Sequence, residues 1–194
     1  MKIAIIGGSG HFEYAVESAL QSNIVAYAPG SENEDLSRLE SLALDFSYYA
    51  NYQELIKLEK PHVVVVNPHY YLNGNITKYC LSKGIHVFCE KPLAFTIDDA
   101  NEIMALSKSQ NAFISTMQIH RYEPWFYAAY LAYKQGRVGG LIKASAQKSY
   151  KLDVKPDWMK DKTKFGGIIP GVGADAVDWM VGLFGPYLQV AQAH

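Results

Sequence analysis

Glu90-Lys91-Pro92 ends an apolar run, Val87-Phe88-Cys89, and sets an acid, a cation and a rigid imino acid side by side where a strand must stop. A lysine at the carboxyl edge of a parallel sheet lies where such sheets bind ligands, and its ammonium can stabilise negative charge developing on a ligand oxygen. A solvated Glu–Lys pair at a strand end is the alternative for the tripeptide taken by itself. The second group with chemical potential is Gly7-Gly8-Ser9-Gly10, followed by His11 and Phe12, between an apolar run and an amphipathic one. Glycines there let the backbone turn tightly and approach a diphosphate, whose charge is met by amide N–H groups at a helix start. The spacing departs from G-x-G-x-x-G in both registers. Counted from Gly7, Ser9 and Phe12 stand at the second and third glycines; counted from Gly8, Gly10 matches and Glu13 does not. A strand-to-helix turn with no ligand has the same composition.

These residues need elements to hold them, and the sequence alternates β-like with helix-like segments. "KIAII" (2–6), "NIVAYA" (23–28), "HVVVV" (62–66), "IHVFC" (85–89) and "AFISTM" (112–117) are strand-like. Between them run "HFEYAVESALQS" (11–22), a helix announced by a Ser31/Glu34 capping box, "NITKYCLSKG" closed by Gly84, and "IDDANEIMALSKS" opened by Thr96 and Asp99. Alternation of this kind builds a parallel sheet covered on both faces. Near residue 118 the rhythm changes. "PWFYAAYLAYKQG" (124–136) predicts a helix, "GLIKASAQKSYKLDV" (140–154) a long strand exposed on one face, "ADAVDWMVGLFG" (174–185) a helix and "YLQVAQAH" (187–194) a final strand. Two domains are expected, 1–119 and 120–194.

A formal net charge of −1 gives no basic surface for nucleic acid and no polybasic membrane anchor, so neither partner is expected. Cys80 and Cys89 have no metal-ligand spacing and read as buried thiols in a reduced compartment; no metal is expected, and the N-terminus reads as cytoplasmic. An acid closing the second strand would hydrogen-bond the adenosine ribose of NAD. Here that strand runs into Ala28-Pro29-Gly30-Ser31, Glu32 follows late and Arg38 lies further along, which leaves NAD and NADP both open.

With the glycine turn, Asn67-Pro68 after "VVVV", Glu90-Lys91-Pro92, "HRYEP" (120–124) and Gly166-Gly167 followed by Gly173-x-Asp175-x-x-Asp178, the chain resembles the glucose-fructose oxidoreductase/inositol dehydrogenase/MocA (Gfo/Idh/MocA) family over essentially its whole length. The resemblance implies an N-terminal Rossmann doubly wound sheet and a C-terminal α/β domain on an open, mostly antiparallel sheet, here shortened. It implies an NAD(P)-dependent oxidoreductase of sugars, polyols or related carbonyl compounds. Gly7, Gly8, Ser9, Gly10, His11, Phe12, Ser31, Asn67, Pro68, Glu90 and Lys91 then fall on the cofactor side, with Lys91 also catalytic and Pro92 after a cis bond. His120, Arg121, Tyr122 and Asp178 fall on the substrate side. The histidine usual after Asn67-Pro68 is replaced by Leu72-Asn73, and His69 is read as a surface residue. The family's acid/base histidine and the aspartate four positions before it fall on Asp175 and Gly171. An aspartate, with an ordinary pKa near ~3.9, accepts protons at neutral pH but donates poorly, so Asp175 is expected as a base. The same change leaves open a catalytically inactive nucleotide- or sugar-binding protein. The missing strands of the second sheet are expected from another copy, making a homo-oligomer, or absent through truncation.

Overall fold

The computed structural model describes residues 1–18, 20–43, 45–149, 151 and 154–186. Six strands, β1 (Ile3–Ile6), β2 (Ile24–Ala28), β3 (Ser47–Tyr48), β4 (Val63–Val66), β5 (His86–Cys89) and β6 (Ile114–Thr116), form one parallel sheet in the order β3-β2-β1-β4-β5-β6. The order reverses between β1 and β4, which creates a crevice at their carboxyl ends. Strand alternation sends successive side chains to opposite faces. Ala4, Ile6, Val64 and Val66 pack with Leu55, Ile76, Cys80 and Ile103 on one side, whereas Ile3, Ile5 and Val65 pack with Phe12, Val16, Leu39 and Met117 on the other.

The helices of this part are α1 (Glu13–Val16), α2 (Ser37–Glu40), α3 (Tyr52–Glu59), α4 (Asn73–Ser82) and α5 (Ile97–Ser109). Caps explain the well-defined starts: Asn51 accepts from the amides of Gln53 and Glu54, and Thr96 from that of Asp99 at 3.1 Å. Two expected helices are much shorter than the sequence suggests. Over 11–22 the helical turn stops at Val16, because the Ser18 hydroxyl binds the Ala15 carbonyl at 2.6 Å and receives the Leu20 amide at 3.2 Å. Such local bonds compete with helix continuation. The Ser31/Glu34 capping box does not form: α2 begins only at Ser37, and the Glu34 carboxylate is drawn to the glycine turn instead.

By contact the described residues divide into two units, Met1–Met117 with Lys155–Gly167, and Gln118–Val154 with Ile168–His194. The segment 155–167, placed by sequence in the second domain, thus groups with the sheet. It carries α7 (Asp157–Lys160) and α8 (Lys162–Phe165). The second unit holds α6 (Pro124–Lys134), a π-turn over Ile169–Gly173 and α9 (Ala174–Phe184). Among its described residues the expected strand over 140–154 is not formed: the segment has no ladder partner, and a strand exists only by pairing. The antiparallel sheet is therefore not observed, and "YLQVAQAH" lies outside the described residues. Residues 162–184 are long and apolar enough, by length and composition alone, to cross a membrane. They include left-handed Gly166 and Gly167 and a buried Asp175.

Candidate active site

In the first unit the site is built where the sheet order reverses. Gly7 leaves β1 at φ +86°, and a Cβ there would lie 2.3 Å from the Pro68 nitrogen, so only glycine lets the turn pass the chain leaving β4. Gly10 approaches the same region from above: its Cβ would meet Asn67 Oδ1 at 2.6 Å and Glu90 Oε2 at 2.7 Å. The turn is pinned by Ser9 and Gly10 amides donating to the Asn67 carbonyl at 2.9 and 3.2 Å. Phe12, which departs from the glycine pattern, turns into the core at 1% exposure. It packs with Ile3, Ile5, Ala15 and Val16.

Two carboxylates reach the turn. Glu90, with no exposed surface, accepts the His11 amide at 2.8 Å and His11 Nδ1 at 2.6 Å through Oε2, and the Lys91 amide at 2.9 Å through Oε1. That bond raises the pKa of His11, with burial opposing it and the Lys91 cation working against it too. Lys91 follows β5 at the carboxyl rim of the sheet. Its peptide bond to Pro92 is cis. Asn73, not anticipated as a site residue, holds this corner by donating to the carbonyls of Glu90 and Pro92, both at 2.9 Å. Its position at the start of α4, facing the Glu90–Pro92 turn, carries no local signal in the sequence.

Glu34 is the second residue missed. Its Oε1 accepts from the Gly8 amide at 3.1 Å and the Ser9 hydroxyl at 2.6 Å, and Oε2 from the Gly30 amide at 2.7 Å. Glu32, the acid nearest the end of β2 in the sequence, is exposed and makes none of these contacts. Ser31 is half-buried in this turn, its carbonyl receiving the Glu34 amide at 3.3 Å. His69 is not simply a surface residue: it stacks on Trp158 at 4.8 Å, and burial lowers its pKa.

The Asn67 side chain is fully buried, and neither Oδ1 nor Nδ2 has a hydrogen-bond partner among the described residues. Buried amides are almost always satisfied. An amide left unpaired beneath a glycine turn, at a sheet switch point, fits a polar ligand in that crevice, and the glycine cradle fits a dinucleotide.

The second unit gathers its own polar cluster. Asp175, 2% exposed in the first turn of α9, lies 3.2 Å from Lys148 Nζ and 3.7 Å from His120 Nε2 through Oδ2, and Lys148 Nζ is 3.3 Å from His120 Nε2. The Lys148 ammonium also lies 5.5 Å over the Trp179 ring. Lys148 was not anticipated, because it lies in the segment read only as a strand. Arg121 and Asp178 form a two-pronged pair, Nε–Oδ2 at 2.7 Å and Nη2–Oδ1 at 2.5 Å, which raises the Arg121 pKa. Both are thereby committed to each other within the unit, while Tyr122 is 83% exposed.

Residues 1–118 match the model of the oxidoreductase family with an NAD-binding Rossmann fold, GFO_IDH_MocA. The chain belongs to the Gfo/Idh/MocA family. An uncharacterised oxidoreductase of Schizosaccharomyces pombe is 28% identical over 200 residues, covering 99% of this chain and 54% of the relative. The trans-1,2-dihydrobenzene-1,2-diol dehydrogenase of Mus musculus is 27% identical over 177 residues, covering 84% and 52%. A Thermotoga maritima oxidoreductase structure superposes with a TM-score of 0.90 at 38% identity, covering 95% of this chain and 59% of that one. The chain spans about half the length of the curated relatives it matches. Gfo/Idh/MocA membership makes the sheet of the first unit an NAD-binding Rossmann fold, and the glycine turn, Asn67-Pro68 and Glu90-Lys91 lie together at the crevice between β1 and β4.

Proposed function

We propose that this chain carries the cofactor-binding part of an NAD(P)-dependent oxidoreductase acting on a sugar, polyol or related carbonyl compound. The observation that carries the reading is the buried Asn67 amide, without a hydrogen-bond partner among the described residues, beneath the glycine turn, with Glu90 and Lys91 at the same sheet edge. The bound nicotinamide supplies hydride transfer. Lys91 places an ammonium at the rim, where it holds the substrate oxygen and lowers the cost of negative charge developing on it. Glu90 fixes the backbone on both sides, through the amides of His11 and Lys91. In the second unit, Asp175 is the candidate proton acceptor, with Lys148 and His120 against its Oδ2. The mouse relative's name, a diol dehydrogenase, and an inositol 2-dehydrogenase of Salmonella at 20% identity support a vicinal-hydroxyl substrate.

A second reading, a nucleotide- or sugar-binding protein without turnover, is favoured by Asp175, whose Oδ2 is engaged by Lys148, standing where the family carries a histidine. Steady-state assays of a polyol panel with NAD and NADP separate the two. Turnover that falls by at least about 100-fold in Lys91→Ala, with NADH still bound, supports the enzyme; a removed transition-state donor costs this much. NADH binding with no turnover by the intact chain supports the second reading.

A further inference from the structure

The turn after β2 carries no acid at the strand end, yet the carboxylate of Glu34 returns to the exits of both β1 and β2. We infer that Glu34 is the residue that discriminates between dinucleotides, and that it selects NAD over NADP. The inference rests on the proposed reading of the glycine turn as a dinucleotide site.

Glu34 is 8% exposed, and its carboxylate is fixed by three donors from two chain segments, the Gly8 amide and Ser9 hydroxyl on Oε1 and the Gly30 amide on Oε2. These segments are the exits of β1 and β2, so the carboxylate is held at the sheet edge before any ligand arrives. A carboxylate offers about four lone-pair sites, and three donors leave acceptor capacity for a hydroxyl. A ribose diol can donate to it. A 2′-phosphate cannot, and it adds up to two negative charges beside a buried one.

The nearby cations do not offset this. Arg38 forms an ion pair with Glu13, reaches the Gly10 carbonyl at 3.4 Å and lies 5.2 Å over the Phe12 ring. Its guanidinium is thus engaged on the turn rather than offered to a phosphate. His69 feels the charge of Glu34, but burial, the larger effect, lowers its pKa, and the Lys164 cation acts in the same direction as burial. Among the described residues no cation is bonded to Glu34.

Juxtaposed like charges cost several kcal/mol, and each 1.4 kcal/mol is a factor of ten in affinity, so NADH should bind about 100-fold more tightly than NADPH. Titrating NADH and NADPH against the intact chain by nucleotide fluorescence measures the ratio directly, in wild type, Glu34→Gln and Arg38→Ala. Support is an NADH preference that falls by at least about tenfold in Glu34→Gln and stays within about twofold in Arg38→Ala. Equal binding of both nucleotides by wild type, or an unchanged ratio in Glu34→Gln, overturns the role of Glu34 and leaves the dinucleotide site standing. A selective loss of NADPH binding in Arg38→Ala overturns it as well, by assigning the phosphate to Arg38. Binding of neither nucleotide by wild type overturns the underlying reading itself. If Glu34→Gln unfolds, Glu34→Asp keeps the charge and must retain the NADH preference.

Discussion

Replacing Glu90 by glutamine tests how the glycine turn is held. The carboxylate accepts three donors, the His11 amide and Nδ1 on Oε2 and the Lys91 amide on Oε1, at 2.6–2.9 Å. A glutamine has one acceptor oxygen and one NH2 group, so one side of the site must face donor against donor. Keeping the oxygen toward His11 retains two bonds and sacrifices the one to Lys91. Hydrogen bonds to charged groups contribute about 1.5–3 kcal/mol each, and removing the charge roughly halves those that remain. The gross loss is about 4 kcal/mol, which relief of carboxylate desolvation offsets in part, leaving a net destabilisation of about 2 kcal/mol. For a chain of this size that lowers Tm by roughly 4–8 °C.

The pH dependence has a definite sign. His11 has a raised pKa in the folded chain, chiefly through its bond to Glu90, so its contribution is fully present below the unfolded value near ~6.5 and fades as pH rises through the folded value. The imidazole is half-exposed, and solvent screening reduces that contribution to about 0.5–1 kcal/mol. Urea denaturation of wild type and Glu90→Gln at about pH 5.5 and 8.5 should therefore show a larger gap at the lower pH. Equal stability of the two proteins at both pH values would refute the assignment of Glu90 as the anchor of the turn.

Two glycines in the same turn should respond differently to alanine. Gly7→Ala sets a Cβ 2.3 Å from backbone that cannot move and requires φ +86°, so a loss of at least about 3 kcal/mol in urea denaturation is expected. Gly10→Ala meets side-chain atoms of Asn67 and Glu90 instead, and should lose less stability, about 1–2 kcal/mol, but more than tenfold in NADH affinity. Thr96→Ala removes the hydroxyl that caps α5 and should cost about 1 kcal/mol, read as a Tm decrease, with nucleotide affinity unchanged.

The central strands were legible because they are short apolar runs whose spacing leaves room for crossover helices, whereas β3, two exposed residues at the sheet edge, offers no such run. Val63–Val66 and the Thr96 cap needed nothing beyond local chemistry. Glu90 and Lys91 were legible as a charge pair that interrupts such a run. Glu34 was not, because its spacing from Ser31 satisfied a local capping rule while its partners lie 25 and 26 residues away. Asn73 was hidden in the same way, bonded to carbonyls 17 and 19 residues on. The strand expected over 140–154 failed for a related reason, since alternation states which face a segment would bury and not whether a neighbour is present. Lys148 went unnoticed as a consequence.

The side chain at position 67 lies fully buried beneath the glycine turn. A leucine has nearly the same shape and no polar group to satisfy, so it should raise the stability of the first unit. An asparagine there instead sets its carboxamide oxygen against Gly10, in the turn that the proposed dinucleotide would touch. On the proposed reading, stability is thus given up at the point where the ligand would be recognised.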